Sequence, residues 1–469
     1  MHRFLLSRPF RLVVAFAMFG PAMLAARAAS AASASITVKP AVGPPGAKVT
    51  VTGAGFGATE TVSIQLDNVE FATAQTDGAG AFVATPLIPD TALPGAHEVE
   101  AVGQVSTLQA VAPFLIRSDW AMFRADARHS GESAPENLID PGNVSTLVRR
   151  WSVPADDWAF PSPIVGGGLV YVVSFAGDLR ARKPSNGHQV WSAQGGCCVV
   201  STPAYAGGRV FWVTGLGTLE ARSAKTGGLL WSQPIEGDFA SPVVSGKTVY
   251  VSDGTTVVAR STADGTLRWQ RDLGAQVLSS PAVSGGRLFV GANDNRLHAL
   301  KASNGHVLWA ADTDGDVVSS PSVDGTTVVV GTQGALSAFD VTTGDPLWSG
   351  GGVCCNASSF SSPAVSGGVA YVGSWEQSLV AVDMATGDNL WSGDTGGGVD
   401  SSPAVAGGLV FVGSHDHFLY AFAVGGCGQA FCDPLWTVDT GGDVRSSPAV
   451  ADGVVYIGGG REYQAYALP

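Results

Sequence analysis

No cysteine precedes Cys197, which excludes a lipid anchor on a cysteine at the end of a leader. Basic residues are scarce: 26 Lys and Arg face 39 Asp and Glu, a formal charge of −13. Such an acidic surface repels nucleic acid and anionic lipid. Past the leader no run approaches the apolar length of a membrane-spanning helix, so no membrane anchor is expected. A Cys-x-x-Cys-His stretch for covalent haem is also missing. Residues 1–34 carry Arg3, Arg8 and Arg11, then an apolar core from Leu12 to Ala26 broken by Pro21, then small-residue sites such as Ala26-Arg27-Ala28. This pattern predicts a cleaved signal peptide and a secreted or periplasmic protein; a monomer is expected.

What fills three quarters of the chain is a repeat. Tryptophan recurs at Trp151, Trp191, Trp231, Trp269, Trp309, Trp348, Trp391 and Trp436, a step of about 40 residues that with strand patterns between marks propeller blades. Each unit opens on a Ser-Ser-Pro-Ala-Val-like run (Ser279-Ser280-Pro281, Ser401-Ser402-Pro403). A β-branched and aromatic run follows (Val249-Tyr250-Val251), then a Leu-x-Ala-Leu-like run (Leu297 to Leu300), then the tryptophan. Gly285-Gly286 or Asp324-Gly325 parts the first two runs and Asn304-Gly305 or Thr386-Gly387 the last two. Tight hairpins need positive φ at those positions, so each unit reads as four antiparallel strands. The last unit lacks a fourth strand, and Leu147 to Trp151 supplies that pattern. Joining the two predicts eight closed blades over residues 151–469.

Residues 35–116 hold about seven short β-rich runs punctuated by Gly43-Pro44-Pro45-Gly46, Asp77-Gly78 and Pro94-Gly95. That predicts a β-sandwich, and Pro44-Pro45-Gly46 to Gly53-Ala54-Gly55-Phe56 resembles the immunoglobulin-like accessory domains of exported bacterial proteins. The fold class is therefore all-β, an eight-bladed propeller behind an immunoglobulin-like sandwich. Residues 117–150 are expected to form a linker or lead-in laid over the propeller without a core of its own.

The Ser-Pro-Ala-Val, Val-Tyr-Val-Gly, Tyr-Ala-Leu and Thr-Gly-x-x-Leu-Trp motifs resemble the pyrroloquinoline-quinone-type (PQQ-like) repeat. The lead-in Asp119-Trp120-Ala121-Met122-Phe123-Arg124, with Ser130-Gly131, resembles the one that opens that family's propellers. The resemblance implies either a quinoprotein alcohol or sugar dehydrogenase using PQQ with calcium, or a non-catalytic scaffold.

Six cysteines are present. Cys427 and Cys432 bracket an insertion and are expected to form a local disulfide. Cys197-Cys198 and Cys354-Cys355 follow Trp191 and Trp348 at the same offset, in crossings of opposite blades, and each pair is expected to close on itself. Loop stiffening, cofactor contact and thiolate metal binding are the three roles open to them. The family resemblance implies a ring like Cys197-Cys198 against the quinone. Trp158 and Trp375 fall in the same set of loops and are candidates for stacking on a flat ligand. Asp312-Thr313-Asp314-Gly315-Asp316 opens like a calcium loop, but Asp394 and Asp439 repeat its first carboxylate, making that position part of the repeat. His415-Asp416-His417 offers two imidazoles without a third ligand and is read as an exposed loop. No calcium and quinone ligand set can be placed, and the loops are short and Gly-rich. The functional reading is a non-catalytic propeller binding a protein, small-molecule or carbohydrate ligand at its face. The alternatives are the PQQ- and calcium-dependent dehydrogenase and a cell-wall or carbohydrate adhesion module.

Overall fold

The computed structural model describes residues 33–236, 240–332, 335–351 and 361–469. The leader up to residue 32, with Cys354 and Cys355, lies outside the described residues. No helix among them is long and apolar enough to cross a membrane.

At the N-terminal end a three-stranded sheet (Ser35–Lys39, Thr50–Ala54, Phe82–Ala84) faces a five-stranded one. Ile36, Val51 and Phe82 from the first pack with Ile64, Val99 and Phe114 from the second. Strand alternation sets this core, as in Gln109–Ile116, where every second residue is buried. The sequence patterns omit both edge strands of the larger sheet, Val42–Gly43 and Val69–Gln75, the latter following a turn at Asp67 and Asn68, both at positive φ.

Eight blades of four antiparallel strands follow. Their innermost strands, numbered here as blades 1 to 8, are Ile164–Gly166, Ala204–Ala206, Val243–Ser245, Ala282–Ser284, Ser322–Asp324, Ala364–Ser366, Ala404–Ala406 and Ala449–Ala451. Second strands such as Arg287–Ala292 are buried on both faces because a blade lies on either side. That is why they read as continuous apolar runs. Outermost strands such as Leu267–Asp272 bury little beyond the tryptophan.

The tryptophans join blade to blade. Seven donate the indole N–H to a carbonyl of the next blade, from Trp151 on Pro184 at 2.7 Å to Trp309 on Val341 at 3.3 Å. The eighth, Trp436, packs edge-on against Tyr466. The glycine of the following blade's last hairpin lies flat on the ring. A Cβ on Gly305, at φ +69°, would stand 2.5 Å from Cε3 of Trp269, and Gly227 on Trp191 and Gly344 on Trp309 are as tight. The Thr-Gly or Asn-Gly pair thus meets two demands, left-handed backbone and close approach.

The ring closes as the repeat requires. Val148–Pro154 pairs antiparallel with Glu462–Ala467 as the outermost strand of blade 8, Trp151 opposite Ala465. In blade 7, Cys427 and Cys432 form a disulfide with Cα atoms 5.6 Å apart. The stapled segment reaches sideways, and Phe431–Cys432 adds in parallel to the outer strand of blade 6.

Residues 117–150 do more than link. Successive carbonyls of residues 120–131 accept the N–H groups of Val165, Tyr205, Val283, Val323, Val365 and Val405, on the innermost strands of blades 1, 2, 4, 5, 6 and 7. Met122 packs into the core beside blade 3, and Ser118 exchanges hydrogen bonds with Asp452 of blade 8. The segment is a hoop inside the channel, on the lower side where the first and last hairpins of each blade turn. Beyond it, Ile139, Val144 and Leu147 join the core of blades 7 and 8.

Candidate functional site

The upper face carries the crossings between blades and the middle hairpins. The channel opens there, and its wall is set by the Ser-Ser-Pro run. The first hydroxyl works within a blade: Ser279 Oγ donates to the Gly291 carbonyl at 3.0 Å and accepts the Gly291 N–H at 2.8 Å. The second works between blades. Ser162, Thr202, Ser241, Ser280, Ser320, Ser362, Ser402 and Ser447 each accept, at 2.9 to 3.0 Å, the backbone N–H of the equivalent residue one blade back. Ser447 N–H to Ser162 Oγ closes the circle. The recurrence of Ser-Pro was visible in the sequence, but not the division of labour. Its signal is that only the residue before the proline is a hydroxyl in all eight units, including Pro161-Ser162-Pro163 and Ala240-Ser241-Pro242.

Above the ring lies the residue two places before six of the hydroxyls: Phe160, Val200, Leu278, Val318, Asp400 and Arg445. Below it Phe123 of the hoop forms the floor. The result is a blind cup of about 560 Å³, within the size range of small-molecule sites. Under the floor, Arg124 is wholly buried and donates to the carbonyls of Pro403, at 2.8 Å, and Pro363. Burial lowers its pKa to about 9 despite Asp126 nearby. His129 is also fully buried and packs edge-on to Phe123. Burial, then the charge of Arg124, pushes its pKa down to about 3. Neither ring nitrogen has a partner in hydrogen-bonding geometry, and the nearby Pro321 carbonyl offsets the shift only in part.

Among the described residues the lip is asymmetric. Aliphatic side chains stand on blades 2, 4 and 5, and charge on blades 7 and 8. Asp400 is engaged by His415 Nε2 at 2.8 Å. Arg445 rests over the Phe160 ring at 5.3 Å, with the Asp443 carboxylate 3.7 Å away. The two imidazoles of His415-Asp416-His417 diverge. His415 turns to Asp400 and is half-buried, contrary to an exposed loop, while His417 turns to Asp443 at 3.3 Å. Asp416 accepts the Tyr420 hydroxyl at 2.5 Å and the Gly396 N–H at 2.6 Å. Burial, reinforced by that carboxylate, pushes Tyr420 up to about 12.

The sequence-derived candidates among the described residues occupy this upper face but do not converge. Cys197-Cys198 lies in the crossing from blade 1 to blade 2, two residues before Val200, with the sulfurs 2.7 Å apart and Cys198 at φ +75°. The Cys198 N–H donates to Phe175. Trp158 is not a free platform: Phe160 stacks on it at 5.7 Å and Arg461 lies over its ring at 5.6 Å. Trp375, half exposed, meets His415 edge-on at 5.3 Å. Asp312 pairs with Arg296 rather than with its neighbouring carboxylates.

PQQ with calcium, which the repeat's resemblance implies, requires a converging set of oxygen donors. Among the described residues no three His, Cys, Asp or Glu side chains gather as a metal site. The lip carboxylates Asp400 and Asp416 are already engaged. The described residues do not fit that group.

Comparison with known proteins follows the fold. A family model described as outer membrane protein assembly factor BamB matches residues 146–241 and 355–426. BamB from Moraxella catarrhalis superposes with a TM-score of 0.56 at 18% identity, covering 68% of this chain and 99% of that one. A europium-containing methanol dehydrogenase superposes with a TM-score of 0.64 at 16% identity, over 75% and 98%. The quinohemoprotein alcohol dehydrogenase from Comamonas testosteroni gives 0.64 at 15%, over 75% and 80%. No curated protein matches in sequence. With eight blades closed through Val148–Pro154, the chain carries an eight-bladed β-propeller with the fold of these proteins.

Proposed function

We propose that this chain is an exported, non-catalytic binding propeller whose ligand or partner segment engages the upper mouth. The observation that carries this reading is the blind cup: a ring of eight hydroxyls, a floor supplied by the hoop, and a lip without converging metal donors among the described residues. Residues 35–116, read as an immunoglobulin-like sandwich, serve as a spacer or adhesion module. A scaffold role agrees with the BamB family match. The dehydrogenase reading is favoured by one feature, the juxtaposed sulfurs of Cys197 and Cys198 at the lip.

The test mixes the purified full chain with PQQ and calcium. It follows the absorbance of the quinone and the reduction of an acceptor dye by short alcohols and glucose. Neither change is expected. Stoichiometric uptake with dye reduction would overturn the reading in favour of the enzyme.

A further inference from the structure

The cup is more specific than its fold requires. Each ring hydroxyl is more than nine-tenths buried and spends one lone pair on a backbone N–H. None of the eight donates a hydrogen bond among the described residues. Accepting an N–H polarises the hydroxyl and strengthens it as a donor. The wall therefore offers eight convergent O–H donors to whatever enters. Above them, among the described residues, Val200, Leu278 and Val318 form an apolar side of the lip and Phe160, Asp400 and Arg445 an aromatic and charged one. The two charges are not equivalent. Asp400 is held by His415 at 2.8 Å, whereas Arg445 has its nearest carboxylate at 3.7 Å and keeps guanidinium N–H groups to spare.

From this we infer that the cup takes a small ligand built of an apolar body and a carboxylate. The body lies against the aliphatic side, and the carboxylate meets Arg445 and the ring hydroxyls. A neutral polyol would leave the aliphatic side facing hydroxyl groups, and a metal cation would be repelled by the Arg445 guanidinium, whose nearest carboxylate is 3.7 Å away. A carboxylate can accept about four hydrogen bonds, and a charge-assisted contact to Arg445 is the strongest the lip can make. The inference rests on the mouth being the binding site.

The test is calorimetric titration of the full chain with 4-phenylbutyrate and with its uncharged amide, which share one apolar body. The acid is expected to bind about tenfold or more tightly than the amide, the scale of one charge-assisted hydrogen bond. Arg445→Gln should bring the acid down to the amide, Arg445→Lys should restore part of the gap, and Val318→Ser should weaken both. Circular dichroism checks that each variant is folded. Equal binding of acid and amide, with both weakened by Val318→Ser, would overturn the carboxylate assignment while keeping the mouth as the site. Absence of saturable heat from either probe on the folded chain would overturn the inference outright. Failure of the binding reading itself shows separately, as reduction of the acceptor dye by an alcohol or glucose once PQQ and calcium are added.

Discussion

Substituting the glycine that lies on each tryptophan separates two costs normally confounded in a turn. Gly305→Ala places a methyl 2.5 Å from Trp269 Cε3, where φ is +69°. Left-handed backbone costs an alanine about 1–2 kcal/mol. Forcing one more carbon into a filled interface costs about 1–3 kcal/mol. The expected loss is the sum, about 2–5 kcal/mol. Gly285→Ala is the control, since its φ is +55° and its Cβ would meet nothing within 4 Å. Only the backbone cost applies there, so about 1–2 kcal/mol is expected. Urea unfolding followed by tryptophan fluorescence reads both. Combining Gly305→Ala with Trp269→Leu should remove the difference, leaving a coupling of about 1–3 kcal/mol between the two sites. Equal losses for Gly305→Ala and Gly285→Ala would refute the view that the indole face, not the turn alone, selects glycine.

Three further outcomes follow from buried groups. Ser320→Ala strips the Ser280 N–H of its acceptor and should cost about 1–3 kcal/mol in urea unfolding, whereas Ser320→Thr should cost much less because Thr202 fills that role in blade 2. His129 has a folded pKa of about 3 against an ordinary value of 6.5. The unfolded chain therefore takes up its proton first, so this site destabilises the fold as pH drops from 6.5 toward 3 and is silent above. The loss should reach about 2 kcal/mol by pH 5, and His129→Gln should flatten the wild-type pH profile by that amount. Removing the Cys427–Cys432 bridge by Cys432→Ser should cost about 2 kcal/mol for so short a loop. Faster hydrogen exchange at Ser392, whose N–H donates to Ala430, would report the segment leaving blade 6.

What could be read from the sequence is what repeats. Trp269, Asn304-Gly305 and the Ser-Pro pair recur because each interface between blades is the same interface, so eight copies reveal the blade and its closure through Trp151. What could not be read happens once. The hoop has no period, because its main-chain carbonyls bond to six different blades, and no local pattern marks Arg124 as fully buried. Trp158 looked free because neither Phe160's stacking nor Arg461, far along the chain, shows in a local pattern. The histidines of His415-Asp416-His417 diverge for a similar reason: Asp400 and Asp443 arrive from two different crossings.

The cup and the hoop solve one problem. Eight three-residue innermost strands leave their edges facing the channel, and backbone N–H groups buried there need acceptors. On blade 4 the ring takes the Ser280 N–H with a hydroxyl of blade 5, and three residues lower the hoop takes the Val283 N–H with the Ala127 carbonyl. The upper answer uses side chains and the lower answer uses main chain. A main-chain carbonyl has no proton to offer afterwards, but a hydroxyl does. The fold's own remedy for its channel edges therefore closes the lower half and leaves the upper half lined with donors, which is why binding is expected at one mouth only.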